Sequence, residues 1–384
     1  MRRGISLAWL QLKHEKLRLF VAIAGVAFAV ILIFMQLGFR NALFDSSVRI
    51  HSLLEGEVVL ISPQFAFLAQ PKSFSRRRLY QALGFPGVAS VSSVYAGVTL
   101  WKNPFSGQTR NIFVLGFDPA ERPLDLPEVS AQAEKIRIED VVLFDASSRP
   151  EYGPVADEVL AGRTVAAEVA NRRLFVQGLF TLGTSFGVDG TIITSDLNFR
   201  RIFPMREEGL IDIGLVRLEP GVDAKLVRDG LTAQFPKDVL VLTKADYIHR
   251  ELDYWASATP IGFVFAFGVV MGLVVGGIIV YQILFADVSD HLAEYATLKA
   301  MGYSNGYLFS VVLQEAVILA VLGFLPGVAI CAGLYRLTED ATRLPMNMTP
   351  ELILSVVVMA IVMCGVSGMI AVRKIRSADP AEIF

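Results

Sequence analysis

Charged side chains at helical spacing recur in one short stretch, HLAEYATLKAMGY (291–303). It carries His291, Glu294 and Lys299, and its polar and apolar residues alternate as on an amphipathic helix. A second set, His249, Glu251 and Asp253, offers an imidazole and two carboxylates. These three alternate along a helical pattern, where positions two apart point different ways, so they read as a solvated face rather than a metal site. A third set, Gln314 and Glu315, places a carboxylate inside an apolar run. A charge there is costly and takes a partner or wet surroundings. A proton relay needs further acids along the path and that run has none, so Glu315 is expected to tie its helix to a neighbouring helix end.

Other chemistry is missing. The sequence has no GxxxxGK[ST], so this chain is not expected to bind or hydrolyse ATP itself. It has no GxSxG, HExxH or CxxC. His14, His51, His249 and His291 lack metal-ligand spacing. Cys331 and Cys364 fall in apolar runs, as packing residues do. The glycines of GLFTLGTSFGVDG (178–190) lack the helix and acidic partner of a nucleotide site. The expectation is a chain with no catalytic residue, no metal and no cofactor of its own.

What must position these groups is a membrane framework. Of 384 residues, 53% are hydrophobic and 19% charged, with a mean hydropathy of +0.52; soluble domains are less apolar and more charged. A formal net charge of −2 provides no basic face for nucleic acid. Runs at 19–39, 260–286, 308–334 and 352–372 reach the ~20 apolar residues that a bilayer crossing takes. The first lacks a small-residue cleavage pattern, with Gln36, Phe39 and Arg40 in that place, and reads as a retained anchor. Arg2, Arg3, Lys13, Lys16 and Arg18 precede it, and Arg373, Lys374 and Arg376 follow the fourth run. The positive-inside rule then places both termini in the cytoplasm. Residues 40–259 become an extracytoplasmic domain, 287–307 a cytoplasmic segment, 335–351 a short outer loop and 373–384 a cytoplasmic tail. Residues 1–18 suit a helix in the headgroup layer, with Trp9 at the interface.

The outer domain alternates β-rich runs (57–62, 88–101, 111–118, 140–147, 172–180, 191–195, 211–219 and 238–243) with helical patterns at 75–83, 196–203 and 224–235. This irregular order predicts an α+β domain, with two lobes parted by loop-like stretches near 119–135 and 147–158. Its flanks, NALFDSSVRIHSLLEGE and KADYIHRELDYWASATP, continue helical patterns; Tyr247, Ile248, Glu251, Leu252 and Trp255 share offsets in the second. Together they predict a paired helical stalk. The fold class is thus an α-helical membrane protein with four transmembrane helices and a large extracytoplasmic α+β domain on a helical stalk.

Residues 291–303 lie between two spans with almost no slack. By the residues alone they are either a docking helix moved by a partner or an interfacial helix that completes the turn. Ala293, Ala296, Leu298, Ala300 and Met301 could pack on the spans or a partner, while Asp290, Glu294, Tyr295 and Lys299 could face the cytoplasm.

EYATLKAMGYS (294–304) resembles the coupling-helix signature of the MacB/FtsX-type ABC permeases, in which a Glu, a small residue, Leu-Lys-Ala and a Gly recur. LQEAVILAVLGFLPG (313–327) is similar to that family's next span, with Gln314, Glu315 and Gly323 at matching positions. RKIRSADPAEIF (373–384) resembles its cytoplasmic end. At the other end, LAWLQLKHEKLRLFVAIAGVAFAVILIFMQLGFRNALFDSS resembles the DevC branch, permeases of the heterocyst glycolipid type of exporter. The resemblance is close at both ends and loose over 60–250, and Tyr303 is bulkier than the family's usual residue after the Gly. It implies a type VII ABC permease of the bacterial inner membrane. It implies a homodimer among membrane lipid, and a separate ABC ATPase subunit that holds ATP and Mg. It also implies a periplasmic adaptor and, through it, a TolC-like outer-membrane channel. Glu294, Tyr295, Leu298, Lys299, Ala300 and Gly302 are then the ATPase-coupling residues, with Gln314, Glu315 and Gly323 supporting them from the third span. The implied function is mechanotransmission that drives export of a lipid- or glycolipid-like or other envelope substrate. The alternative is an FtsX-like signalling subunit that controls a periplasmic envelope hydrolase.

Overall fold

The computed structural model describes residues 16–372. The expected headgroup-layer helix, up to residue 15, and the tail 373–384 lie outside the described residues. The chain divides into two compact units. One, named the outer unit after the topology the sequence predicts, is residues 42–260 with 340–345; the other collects the apolar helices up to 41, over 261–339 and from 346.

The outer unit is built on a nine-stranded sheet. Strands β1 (Val58–Ile61), β10 (Ile213–Leu218) and β11 (Leu240–Thr243) extend from one side of the long strand β3 (Val88–Lys102). On the other side follow β4 (Thr109–Phe117), β8 (Thr191–Ser195), β5 (Val141–Asp145), β7 (Arg172–Phe180) and β6 (Val165–Val169). Strand β6 then returns to β3 at Val169↔Trp101 and Glu168↔Lys102. This part of the sheet closes on itself, which removes an aggregation-prone edge. The β4–β8 and β5–β7 pairings are parallel, so the sheet is mixed. A small pair, β2 (Phe74–Ser75) with β9 (Leu210–Ile211), stands apart.

Both faces of the sheet are covered. Side chains alternate along a strand, so Val58 and Leu60 join one core with α2 (Arg76–Leu83) and α6 (Ala224–Gln234), through Leu79, Ala82, Val227 and Leu231. Val59 and Ile61 join the other, with Ile50 and Leu54 from the end of α1 (Lys16–Leu53) and Tyr247 of α7 (Lys244–Asp253). Helix α5 (Asp196–Ile202) lays Phe199 over Gly116, where a Cβ would collide with the ring. The expected division into two lobes is not found, because one sheet runs through. The loop-like stretches instead contain α3 (Pro127–Ala131) and α4 (Val155–Leu160), which bury Val129 and Val155. Strand β6, VAAEV, escapes a sequence reading because its Ala and Glu are poor strand formers.

The second unit contains four helices long and apolar enough to cross a membrane: α1, α8 (Pro260–Asp290), α10 (Asn305–Thr342) and α11 (Pro350–Ala371). Between helices in lipid there is no hydrophobic drive, so close approach at small residues supplies the packing. Gly268, Gly272 and Gly276 recur every fourth residue on α8 and meet Gln36, Ile33 and Ala29 of α1. Gly323 and Gly327 of α10 meet Val26 and Val30. On that same face of α10, the Tyr335 hydroxyl donates to Phe34 O at 2.5 Å. From α11, Ser367 Oγ donates to Gly277 O at 2.8 Å.

Helix α10 runs on past residue 334 to Thr342, so much of the expected outer loop 335–351 is helical and only 343–349 join α10 to α11. The first apolar run continues as helix to Leu53, as its flanking pattern predicts. Hydropathy reports the apolar slab, whereas a polar turn such as Arg336–Asp340 prolongs the helix beyond it.

Replacing Gly323 with Leu should force α10 away from α1 and cost about 1–3 kcal/mol. Gly333→Leu is the control, since nothing lies within 4 Å of a Cβ there. Thermal unfolding followed by helical circular dichroism in detergent checks both; equal midpoints would refute the packing argument.

Candidate docking surface and the anchor of the first helix

Helix α9 (Leu292–Ala300) follows α8 after a single residue, His291. The His291 amide donates to Asp287 O at 3.1 Å and the Tyr295 amide to His291 O at 3.0 Å, so the backbone ladder barely pauses at the corner. The far end is equally defined. Gly302 sits at φ 92°. Its N–H donates to Lys299 O and the Tyr303 N–H to Leu298 O, each at 3.1 Å. This is a Schellman closure, which needs a left-handed residue. The Ala-Met-Gly-Tyr ending is therefore a helix stop, with α10 starting at Asn305.

The sequence-predicted residues separate into two roles. Tyr295 is 1% exposed and packs with Val288 of α8 and with Leu308 and Val312 of α10. It does not face outward as its polarity suggested: its ring is long enough to reach the junction of the two helices, while Ala300 and Met301 lie past it. Glu294, Ala300 and Gly302 are exposed, and Leu298 and Lys299 are half-buried. Met301 is 64% exposed and Tyr303 46%, with the Tyr303 and Tyr307 rings 4.9 Å apart. The exposed residues of the corner include Asp290 and Glu294, small residues, Met301, Tyr303 and Tyr307. This surface offers polar and aromatic contacts side by side. Among the described residues no group of three His, Cys, Asp or Glu could hold a metal ion.

Gln314 and Glu315 are adjacent on α10 and diverge: Gln314 is exposed, Glu315 fully buried. Asp287, in the last turn of α8, is the acidic neighbour of Glu315. Glu315 therefore lies beside the helix end that leads into α9. Gly323 is placed elsewhere, against Val26 of α1.

A second constellation gathers at the outer end of α1. His51 and Glu251 are buried, with His51 Nε2 3.3 Å from Glu251 Oε2. Glu251 also accepts from the Leu68 amide at 3.1 Å and from the Trp255 indole N–H at 3.0 Å. The His51 and Tyr247 rings are 4.5 Å apart. Burial, with Glu251 and Asp212 nearby, pushes the Tyr247 phenol well above its ordinary pKa. Lys244 Nζ donates to the carbonyls of Ser52 and Leu54, both at 2.8 Å, placing a cation on the last carbonyls of α1. The solvated-face reading of His249, Glu251 and Asp253 holds for the first and last, which are exposed, and fails for Glu251. The shared offset of Tyr247, Glu251 and Trp255 pointed to this buried face. No local spacing could pair Glu251 with His51, 200 residues away in sequence.

Residues 266–380 match the family of the FtsX-like permease C-terminal domain. The matched stretch includes most of α8 and all of α9 and α10. The chain is also similar to YknZ of Bacillus subtilis (strain 168), described as an uncharacterised ABC transporter permease. The two are 27% identical over 112 residues, which is 29% of this chain and only 28% of the length of YknZ. Among solved structures, the periplasmic region of MacB from Actinobacillus actinomycetemcomitans shares 10% identity and a TM-score of 0.37, covering 53% of this chain and 95% of that one. The extracellular domain of the noncanonic ABC-type transporter YknZ from Gram-positive bacteria shares 13% and a TM-score of 0.31, covering 49% and 99%.

Tyr295→Ala should remove about 3 kcal/mol from the α8–α9–α10 junction, whereas Glu294→Gln, on the exposed face, should be neutral. Amide hydrogen exchange over 291–308 reads this directly; equal protection in the two variants would contradict the assignment of Tyr295 as the anchor.

Proposed function

We propose that this chain is the permease subunit of an ABC exporter. A separate ATPase subunit, which holds ATP and Mg, docks on α9, and its closure moves α9. The movement passes along α8 and α1 to the outer domain, which acts on a lipid- or glycolipid-like or other envelope substrate. In this reading the protein is a homodimer in a bacterial inner membrane with both termini cytoplasmic. It works with a periplasmic adaptor and an outer-membrane channel. One observation carries the reading: α9 is fixed at both ends, anchored inward by Tyr295, and turns the Glu294–Tyr303 face outward. The match of residues 266–380 to the FtsX-like permease C-terminal family supports it. A helix joined to its neighbours by so little chain cannot be displaced alone, so force on that face is passed to α8 and α10.

Co-purification through a C-terminal tag should bring down a P-loop ATPase and an adaptor. Glu294→Lys and Leu298→Pro, the latter breaking the helix at a cost of about 3 kcal/mol, should abolish permease-stimulated ATPase activity. Stimulation at wild-type levels by both variants would sink the docking role of α9. An ATPase captured without an adaptor would favour a signalling subunit over an exporter.

A further inference from the structure

The helix after β11 changes form just before it ends. Beyond α7, Tyr254–Ala258 winds as a π-helix, and Thr259 is extended at φ −116° and ψ 149°. The cause is in the sequence. Pro260 has no N–H to give and disfavours helical geometry in the residue before it. Two hydroxyls also bond carbonyls of this segment: Ser257 Oγ donates to Asp253 O at 2.6 Å and Thr259 Oγ1 to Trp255 O at 2.8 Å. A π turn holds one more residue than an α turn, and such turns concentrate at functional sites.

The helix before the turn is held in place, and Pro260 donates no backbone hydrogen bond back into the turn. On the near side Tyr247 is fully buried in the sheet core. Glu251 accepts from the Leu68 amide, and one of its oxygens lies 3.3 Å from His51 Nε2 of α1. Within the turn, Trp255 is 8% exposed. Its indole N–H is bonded to Glu251, and its ring meets Phe67 edge-on at 5.7 Å. Gly187 lies so close that a Cβ there would stand 3.2 Å from the Trp255 ring. The next three residues, Ala256, Ser257 and Ala258, are all exposed.

We propose that residues 251–259 are a mechanical joint, in which the π turn stores one residue of slack and the Glu251–Trp255 hydrogen bond is its latch. Rewinding the turn to α geometry releases that residue, about 1.5 Å of helix rise. The chain beyond Pro260 can then be displaced while α7 stays seated on the sheet. The joint follows from the local geometry and stands whether or not an ATPase docks on α9.

Hydrogen exchange on the full chain in lipid nanodiscs tests it. The amides of Ala256–Thr259 should exchange at least about tenfold faster than those of Tyr247–Asp253. Trp255→Phe keeps the ring and removes the latch. It should speed Ala256–Thr259 by a further several-fold and leave Tyr247–Asp253 unchanged. Glu251→Gln should act in the same direction. Deleting Ala256 removes the stored residue and should slow the turn to the rate of α7. The proposal is overturned if the turn exchanges as slowly as α7 in the wild type. It is equally overturned if Trp255→Phe speeds α7 and the turn together, since Trp255 would then be ordinary core.

Discussion

Helix α1 must satisfy two solvents along one continuous rod. Its apolar length lies where no water drives helices together, and there it is gripped by small residues, the α8 glycines on Gln36, Ile33 and Ala29 and the α10 glycines on Val26 and Val30. Its last turns lie where water is excluded by a sheet core. There Ile50 and Leu54 supply hydrophobic burial, while Lys244 satisfies the terminal carbonyls. Neither device would serve in the other place. Glycine contacts gain little in water, where larger side chains bury more area. A lysine on a helix end could not sit unpaired in hydrocarbon. Helices α8 and α10 are placed by α1 through these contacts, and α9 is placed by α8 and α10.

The specification of α9 is geometric: a corner with almost no loose backbone at His291, an aromatic anchor at Tyr295 and a glycine stop at Gly302. Each removes conformational freedom from the corner. Glu315 and Asp287, buried at the foot of that corner, add a polar contact beside the apolar packing of Tyr295, Val288, Leu308 and Val312. A polar contact has fewer alternative partners than an apolar one, which favours one register of α10 on α8 over its neighbours.

Legibility followed the range of the interactions. Spans, strands of β-branched residues and capped helices declare themselves locally: β3, β4, β7 and α6 are visible as residue patterns. The helix stop at Gly302 was not drawn from the sequence, where Gly302 entered only through the family resemblance, although its signal is a single residue. The buried role of Tyr295 was not, because polarity and reach compete in a tyrosine and only packing decides between them. The return of β6 to β3 was not, since no pattern within either strand specifies its partner. The His51–Glu251 contact was invisible for the same reason, although the Tyr247, Glu251 and Trp255 stripe showed half of it.

The chain between α10 and α11 supplies a further constraint. Residues 340–345 belong to the outer unit, where Arg343, at φ 59°, presents its carbonyl to Thr184 Oγ1 at 2.8 Å. The loop carrying Thr184 is itself fixed. Asp145, pushed above its ordinary pKa by burial, accepts from the Leu182 and Gly183 amides at 3.0 Å each. Arg49 of α1 donates to Leu182 O at 2.5 Å. Thus α1 and the α10–α11 connection meet the same loop within the outer unit, while α7 enters by a separate route through Glu251. The two attachments differ in kind: one ends in buried, multiply bonded side chains, and the other passes through the exposed residues Ala256–Ala258, beside the hydroxyls of Ser257 and Thr259.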